Sequence, residues 1–363
     1  MNQPAALGTV HDEGARSLLY TEVEEELRTA VRALLADRCP PSSVLRRAET
    51  AEVHDLDLWK TLSREIGVAG LLVPEEYGGA GASAREAAVV LEELGRGVTP
   101  APFFTSSVLA TRTLLDLGER DLLRELAAGE KTAALAVPFA ATPYRAAGVP
   151  LEIGDGTVTG RVAGVAGADV ADVLLVPSAD GAVFAVEARH AAVTTQPSLD
   201  LTRPIATVSL ASAPARNLGA CDLGAVLRFG AGLLASEQLG VAEWCLDTTL
   251  SHVRERRQFA RPIGSFQALK HRLADLWLDV VRARAAARNA CAGAPLAVAV
   301  AQAWNAGVAV HVAEEALQLH GGIGMTWEHP LHLYLKRAKA TEIALGTPGD
   351  HRAALASLAD LPG

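Results

Sequence analysis

The sequence predicts a mainly α-helical protein with a β domain in the middle of the chain. Hydrophobic residues make up 50% of it and are mostly Ala and Leu, whereas aromatic residues make up 4%, a composition that favours helix. Apolar residues recur with helical spacing in the first and last thirds of the chain. Between these, residues 131–222 contain short Val-rich runs separated by Gly-Asp-Gly and Ala-Asp-Gly, which are typical of strands and hairpin turns.

The first domain is predicted over residues 1–128, beginning with a loose leader of 18 residues. In TEVEEELRTAVRALLADRC (Thr21–Cys39) the apolar residues lie on one face of a helix, and Cys39-Pro40-Pro41 is predicted to end it. Further helices are predicted over Asp57–Ile66, Ala84–Leu94, Ser106–Leu117 and Asp121–Ala128.

The second domain, residues 129–222, is predicted to be a β-barrel or β-sandwich. The third domain, residues 223–363, returns to helical periodicity. Long amphipathic helices that follow one another through short connections indicate an antiparallel four-helix bundle. The predicted helices are Ala225–Arg257, Phe266–Ala292, Leu296–Leu319 and His329–Ala344.

Composition and charge exclude several functions. The net charge is −9 and no block of basic residues occurs, so nucleic-acid binding is not expected. The four cysteines form no C-x-x-C pair, and neither a metal site nor a redox pair is predicted. The N-terminus lacks a basic region followed by an apolar core, and no apolar run looks long enough to span a bilayer. We therefore expect a cytoplasmic protein without a membrane span.

Two segments carry residue types suited to a dinucleotide. RRQFARPIGSFQ (Arg256–Gln267) joins two predicted helices and combines arginines, which suit a diphosphate, with aromatic rings that can cover a flat ring system. QLHGGIG (Gln318–Gly324) follows a long helix, and its glycines allow a ligand to approach the backbone closely. Each has a simpler interpretation: a solvated basic turn with Phe259 in the core, and a glycine cap that ends a helix.

Together these segments resemble the acyl-CoA dehydrogenase family. LLVPEEYGGAG (Leu71–Gly81) with LEELGR (Leu91–Arg96) resembles the family's N-terminal helical domain, and RVAGVAGADVADVLLV resembles strands of its β domain. QLHGGIGMTWEHPLHLYLKRAK resembles its C-terminal bundle. The resemblance covers nearly the whole chain, and it implies FAD as cofactor and an acyl-CoA as substrate.

The resemblance also implies which residues contact FAD. The arginine, phenylalanine and glutamine that reach the FAD of a neighbouring subunit fall on Arg256, Phe259 and Gln267. The glycine turn near the FAD diphosphate and adenine, and the threonine of the family's E-G-T segment, add further positions. These are Gln318, Gly321, Gly322, Gly324 and Thr347.

The catalytic base of the family has no equivalent here, so the catalytic residue is left unassigned. The glutamate of E-G-T, which takes the α-proton in most members, falls on Leu345. The alternative location on the first long C-terminal helix falls on Gly230 or Ala231. The simplest interpretation of the nearby carboxylates is that they are surface or inter-helix charges. Glu342 is the first of them to test as a base. They are Glu237, Glu342 and Asp350.

The β domain departs from the family as well. The stretches that match its flavin-contacting loop and its Trp-x-Thr element are Ala136–Tyr144 and Gly164–Ala168, and they lack the expected hydroxyl and Trp groups. We therefore expect that the chain retains the residues that contact the FAD of a neighbouring subunit and has lost those that hold its own flavin ring.

We therefore expect this chain to be the subunit without the base in a heterotetrameric acyl-CoA dehydrogenase, together with a paralogous partner subunit. An electron-transfer flavoprotein or a similar protein is expected to accept the electrons. Two alternatives are a self-sufficient homotetramer with a displaced base and a non-catalytic flavin- or acyl-CoA-binding scaffold. Small residues on the first long C-terminal helix hint at a bulky, steroid-derived acyl group. These are Gly230, Ala231, Gly232 and Ala235.

Overall fold

The structure is a computed structural model that describes residues 18–359, so all but the last residue of the predicted leader lies outside the described part. Its first part is helical, as expected. The helix α1 begins with a capping box, in which the Thr21 hydroxyl accepts from Glu24 N and the Glu24 carboxylate accepts from Thr21 N. The helices are α1 (Glu22–Arg38), α2 (Pro41–Ala48), α3 (Leu56–Thr61), α4 (Ala84–Arg96), α5 (Thr111–Leu117) and α6 (Arg120–Ala127).

The helix α2 was not predicted from the sequence. The proline pair does end α1, but the chain enters a new helix at once, with Pro41 as its first residue. Proline is well accepted at this position because the first N–H groups of a helix have no intrahelical partner. The proline pair that was predicted only to end one helix therefore also begins the next.

Two predicted α-helices are in part π-helical. Leu62–Ile66 continues α3 in π geometry, and Phe103–Ala110 precedes α5 in the same geometry. The expectation of one α-helix over Ser106–Leu117 is thus wrong for its first half. All residues of Phe103–Ala110 are buried. Such wide turns are rare and are frequent at functional sites.

Two four-stranded sheets form the middle of the chain, which confirms the central β domain. One has the order β1-β4-β5-β8, with β1 parallel to β4, and the other has the order β2-β3-β7-β6. Their inner faces share an apolar core that includes Val162, Leu174, Phe184 and Val208. The strands are β1 (Ala133–Leu135), β2 (Glu152–Ile153), β3 (Thr157–Ala166), β4 (Val173–Pro177), β5 (Ala182–Glu187), β6 (Ala191–Gln196), β7 (Ile205–Pro214) and β8 (Arg216–Ala220).

The last part of the described chain is the helical bundle that the sequence predicts. The longest helix, α7, is joined to α8 by a short β-hairpin, and α9 packs against α7, α8, α10 and a further helix, α11, that was not predicted. The elements are α7 (Leu223–Glu255), β9 (Arg257–Gln258), β10 (Arg261–Pro262), α8 (Gln267–Ala290), α9 (Pro295–His320), α10 (Leu331–Glu342) and α11 (Pro348–Leu358).

One stretch among the described residues, Pro295–Met325, is long and apolar enough to cross a membrane by length and composition. The expectation that no stretch has this length is therefore wrong. However, 61% of its most apolar window is buried inside the protein. A core helix surrounded by other helices shows the same composition, and this is the position that α9 occupies.

Candidate functional site

The two segments expected to contact FAD lie side by side at one end of the bundle. The segment Arg256–Gln267 follows α7 and the segment Gln318–Gly324 closes α9. Near these ends the rings of His252 and His320 stack, with centroids 4.3 Å apart and an interplanar angle of 24°. The backbone N–H of Arg256 donates to the His252 carbonyl over 2.9 Å. Residues that are more than sixty positions apart in sequence thus form one continuous surface.

Phe259 lies at the tip of the β9–β10 hairpin. Phe259 and Ala260 have φ angles of +52° and +63°, which is the pattern of a type I′ turn between paired strands. The Phe259 side chain is 86% exposed and its ring meets the edge of Phe266 at 6.0 Å. The alternative in which Phe259 belongs to the core is therefore wrong. The hairpin presents an aromatic ring to solvent, as a residue that serves a partner or ligand would be presented.

Polar side chains lie in the hairpin and in the segment that follows it. The Arg261 guanidinium lies 3.9 Å from the centroid of Phe266. Gln267 begins α8, and its amide is 3.5 Å from the His271 ring nitrogen. The side chains of Arg256, Gln267 and Gln318 are all exposed, so they are available to a molecule that binds at this end of the bundle.

The three glycines of the turn have different surroundings. Gly321 has φ +62° and ψ −139°, a conformation open essentially to glycine alone, and its N–H donates to Gln318 O. It therefore does cap α9, as the simpler interpretation held. A Cβ on Gly324 would lie 2.9 Å from His320 Cβ, so packing excludes a side chain there. A Cβ on Gly322 would meet no atom within 4 Å. Nothing in the described chain requires glycine at 322, and its backbone is open to a ligand.

Thr347 has a clear role within the chain. It is the N-cap of α11, its hydroxyl accepts from Asp350 N over 3.2 Å, and it donates to the Asp350 carboxylate over 2.7 Å. The hydrogen bond that the Thr347 hydroxyl donates, followed by the one that the Thr347 N–H donates to the same carboxylate, lowers the pKa of Asp350. Thr347 is nevertheless exposed, so contact with FAD stays a prediction.

Leu345, the position to which the family resemblance assigns the base, is completely buried. Its φ is +53°, its N–H donates to Phe139 O over 2.8 Å, and its carbonyl is 3.1 Å from His351 Nε2. Because a carbonyl only accepts, Nε2 of His351 carries the proton and Nδ1 accepts from the Tyr144 hydroxyl at 2.8 Å. Burial lowers the pKa of His351, which keeps it neutral. The backbone at Leu345 is thus held from both sides.

The alternative position of the base faces the same point. A Cβ on Gly230 would lie 3.1 Å from Leu345 Cδ1 and 2.4 Å from Leu109 Cδ2. Leu109 comes from the π-helical segment before α5. The two positions to which the resemblance assigns the base, Leu345 and Gly230 or Ala231, therefore meet at Gly230, and the side chains that meet there are apolar.

The structure gives the neighbouring carboxylates other partners. Glu342, the first candidate base, is partly exposed and lies 3.8 Å from the Lys339 ammonium. Asp350 caps α11 and is 3.0 Å from the Arg145 guanidinium. Neither contact lies in the apolar cluster of Leu345, Gly230 and Leu109, so the geometry does not favour either as base.

Glu237 is buried rather than at the surface, and the inter-helix interpretation is the one that holds. Its carboxylate accepts from Arg203 over 3.0 Å and from Arg337 over 3.3 Å, and Arg337 also pairs with Asp200. Burial raises the pKa of Glu237, but the two guanidinium groups outweigh burial and the net shift is downward. A carboxylate neutralised in this way is a structural anion that joins α7, α10 and the loop before β7.

The two β-domain stretches that are expected to match flavin-contacting elements of the family are also in contact. The Phe139 N–H donates to Gly164 O over 2.7 Å, and the Phe139 ring lies 6.0 Å from that of Phe104. In the same loop, the Thr142 hydroxyl is buried without a hydrogen-bond partner in the described part of the chain. Sequence analysis missed Thr142, whose buried hydroxyl without a hydrogen-bond partner is a candidate contact for a ligand.

Small residues on α7 serve close packing. A Cβ on Gly232 would lie 2.5 Å from Ala290 O on α8, and Gly230 is in contact with Leu109 and Leu345. The hint that these residues leave room for a bulky acyl group is therefore not supported for this chain. They let neighbouring helices approach.

This arrangement, a helical domain, a β-sandwich and a bundle with an arginine- and glycine-bearing end, defines a flavoprotein oxidoreductase of the acyl-CoA dehydrogenase class. The profile of the acyl-CoA dehydrogenase N-terminal domain matches residues 21–130, and that of the C-terminal domain matches residues 222–357. The chain is 37% identical over 331 residues to acyl-CoA dehydrogenase IpdE2 of Mycolicibacterium smegmatis, which covers 90% of this chain and 96% of that protein. The chain belongs to the acyl-CoA dehydrogenase family.

Solved structures of similar fold include heteromeric and steroid-related proteins. The ChsE4–ChsE5 complex from Mycobacterium tuberculosis matches with 31% identity and a TM-score of 0.83, covering 96% of this chain and 100% of that chain. A variant of the Tcur3481–Tcur3483 steroid ACAD matches with 29% identity and a TM-score of 0.83, covering 93% and 98%.

Proposed function

We propose that this chain is one subunit of a two-component, FAD-dependent acyl-CoA dehydrogenase and that its partner subunit supplies the catalytic base. The observation that carries the proposal is the contact of Leu345 with Gly230. Removal of the α-proton of an acyl-CoA needs a basic group within hydrogen-bond reach. Both positions that carry this group in the family are apolar here, and the space between them is filled. The likeness to the ChsE4–ChsE5 complex supports a heteromeric assembly.

In this assembly the chain would bind and orient the FAD with the end of its bundle. Arg256 would neutralise charge on the diphosphate, Phe259 would cover an apolar face, and the open backbone at Gly322 would allow close approach. FAD accepts the hydride from the β-carbon of the substrate when it is bound. The full set of proposed contacts is Arg256, Phe259, Gln267, Gln318, Gly321, Gly322, Gly324 and Thr347.

The proposed substrate is a bulky, steroid-derived acyl-CoA, and the acyl chain would lie in the partner subunit. The structural likeness to a steroid ACAD supports the steroid-derived substrate. The acyl chain is placed in the partner subunit because the packing of Gly230 and Gly232 leaves no open space beside them. A paralogous partner subunit, an electron-transfer flavoprotein as acceptor and a cytoplasmic location complete the proposal.

The test is to express the chain alone and together with its adjacent-gene paralogue. The chain alone should be colourless or weakly yellow, whereas the co-purified assembly should show flavin absorbance that bleaches anaerobically with an acyl-CoA. Arg256→Ala should lower the flavin content of the assembly, and Arg254→Ala, on an exposed position two residues earlier, should not. A yellow homotetramer that bleaches without any partner would contradict the proposal.

A further inference from the structure

Three histidines from separate elements cluster beneath the proposed FAD contacts. The ring of His320, the last residue of α9, lies 4.3 Å from that of His252 on α7 and 4.8 Å from that of His329 in the loop before α10. His320 directly precedes the glycine turn, and the His252 carbonyl accepts from the N–H of Arg256. The cluster therefore joins the two segments that would hold the diphosphate. No group of three or more ligand-type side chains within residues 18–359 is arranged for a metal.

One nitrogen of this cluster is unsatisfied. His320 is only 6% exposed, and its Nδ1 lies 2.7 Å from the carbonyl of Ala316. Since the carbonyl accepts, Nδ1 carries the proton and Nε2 is left with a free lone pair. This Nε2 is buried and has no hydrogen-bond partner in the described part of the chain. A buried polar atom without a partner costs free energy, so it indicates a function beyond packing.

The surroundings keep the cluster uncharged in the absence of a ligand. Burial first, with the neighbouring His252 and His329 adding to it, lowers the pKa of His320 to about 4. Burial also lowers the pKa of His252, to which Arg256 contributes, whereas Glu255 acts in the opposite direction. The pKa of His329 is lowered as well, first by burial and then by the neighbouring His252 and His332. The histidine beyond it, His332, faces Lys336 and Glu49.

We propose that His252, His320 and His329 are a proton-accepting anion site that couples binding of a dinucleotide diphosphate to proton uptake. The inference rests on the proposed function, since it is the FAD contacts at this end of the bundle that bring the diphosphate here. A nearby dianion favours the protonated form of an imidazole and raises its pKa. His320 Nε2 would then become a donor, and one protonation would both satisfy the buried atom and complement the ligand charge.

Coupling of this kind has a definite sign. The histidine pKa is higher in the bound state than in the free state, so the bound state holds more protons. Affinity for FAD should therefore rise as pH falls below the bound-state pKa, by up to about tenfold per pH unit for each proton taken up, and level off below the free-state pKa. Because the diphosphate of FAD stays doubly ionised throughout this range, it contributes no titration of its own.

The experiment is calorimetric titration of FAD into the flavin-free assembly of this chain and its partner subunit. Performed at pH 6.5 in two buffers of different ionisation enthalpy, it should report net proton uptake, and the Kd should fall between pH 8 and pH 6. His320→Asn keeps a donor for the Ala316 carbonyl and should remove most of the uptake. His311→Asn, on an exposed position of the same helix, is the matched control and should behave as wild type.

A second variant, His329→Gln, gives the same test if His320→Asn does not fold. Binding of FAD without proton uptake and with a pH-independent Kd would overturn the histidine proposal and leave the proposed function intact. Absence of FAD binding to the assembly at every pH would instead contradict the proposed function. Uptake that persists unchanged in both histidine variants would assign the proton to another group and also overturn the proposal.

Discussion

The side chain of Leu345 lies against Gly230, where a Cβ on the glycine would be 3.1 Å from Leu345 Cδ1. Leu345 belongs to the connection between α10 and α11 and Gly230 to the first half of α7, so the contact is made across the bundle. It fills the position to which the family resemblance assigns the general base.

Leu345→Glu should destabilise the chain strongly without creating a base. The carboxylate would be buried among Leu109 and Gly230 with no positive partner, and a buried unpaired charge costs several kcal/mol unless the group is protonated. Burial would raise the pKa of the new carboxyl, so stability should be highest at low pH and fall as pH rises through that pKa. Urea unfolding from pH 5 to pH 8 measures this.

Leu345→Gln is the control, because it has the same shape and no titration. Its loss of stability should not depend on pH beyond the dependence of the wild type. Equal pH profiles for the two variants would show that the site admits water or a counter-ion and would contradict the closed geometry.

Glu237→Gln should lower the free energy of unfolding by about 3–5 kcal/mol, because it leaves Arg203 and Arg337 buried with too little negative charge. In the wild type, burial opposes ionisation of Glu237, but the two arginines lower its folded-state pKa below the unfolded value. The stability that this group contributes is therefore present at neutral pH and lost as pH falls through the folded-state pKa. In acid, the urea midpoint of unfolding should therefore depend less steeply on pH in the variant than in the wild type.

Glu314→Gln offers the comparison, since Glu314 is about half exposed and pairs with Lys339 over 3.1 Å. An exposed pair of this kind contributes about 0–1 kcal/mol. A Glu237→Gln variant that loses no more than Glu314→Gln would show that the buried network does not hold α7 to α10.

Gly322→Ala should leave the stability of the chain nearly unchanged and lower the FAD content of the assembly. A Cβ at this position meets no atom of the described chain, but it would stand in the way of a ligand that touches the backbone. Gly321→Ala, in contrast, should lower the free energy of unfolding by about 1–3 kcal/mol, because the φ and ψ of Gly321 suit glycine alone. Thermal unfolding and flavin absorbance separate the two effects. Full flavin content in Gly322→Ala would remove this residue from the site.

Thr347→Ala should cost about 0.5–2 kcal/mol through loss of the α11 cap. If Thr347 also contacts FAD, the assembly that carries it should hold less flavin. Asp350→Ala removes the other half of the same capping box and serves as the control. Both variants should lose stability, and Thr347→Ala alone should lose flavin. Equal flavin content in the two would leave Thr347 with the capping role only.

Much of the fold could be predicted because it depends on neighbours in sequence. Helical periodicity and the turn residues of the hairpins are local signals, and the helices over Thr21–Cys39 and Ala225–Arg257 are observed within a few residues of the expected bounds. The π-helical turns at Phe103–Ala110 were not predicted, because so short a segment of i→i+5 hydrogen bonding has no apolar period of its own that the sequence could show. The choice between them is made by the elements packed around the segment.

The sequence by itself determined the chemical character of the candidate site: arginines and a phenylalanine in one segment, glycines in another, and a leucine at the position to which the resemblance assigns the glutamate. The tertiary structure alone decided which of these groups meet. Stacking of His252 on His320 and contact of Leu345 with Gly230 join residues that are distant in the chain. Such contacts depend on how the helices of the bundle pack, and packing is a property of many side chains at once, which no local pattern records.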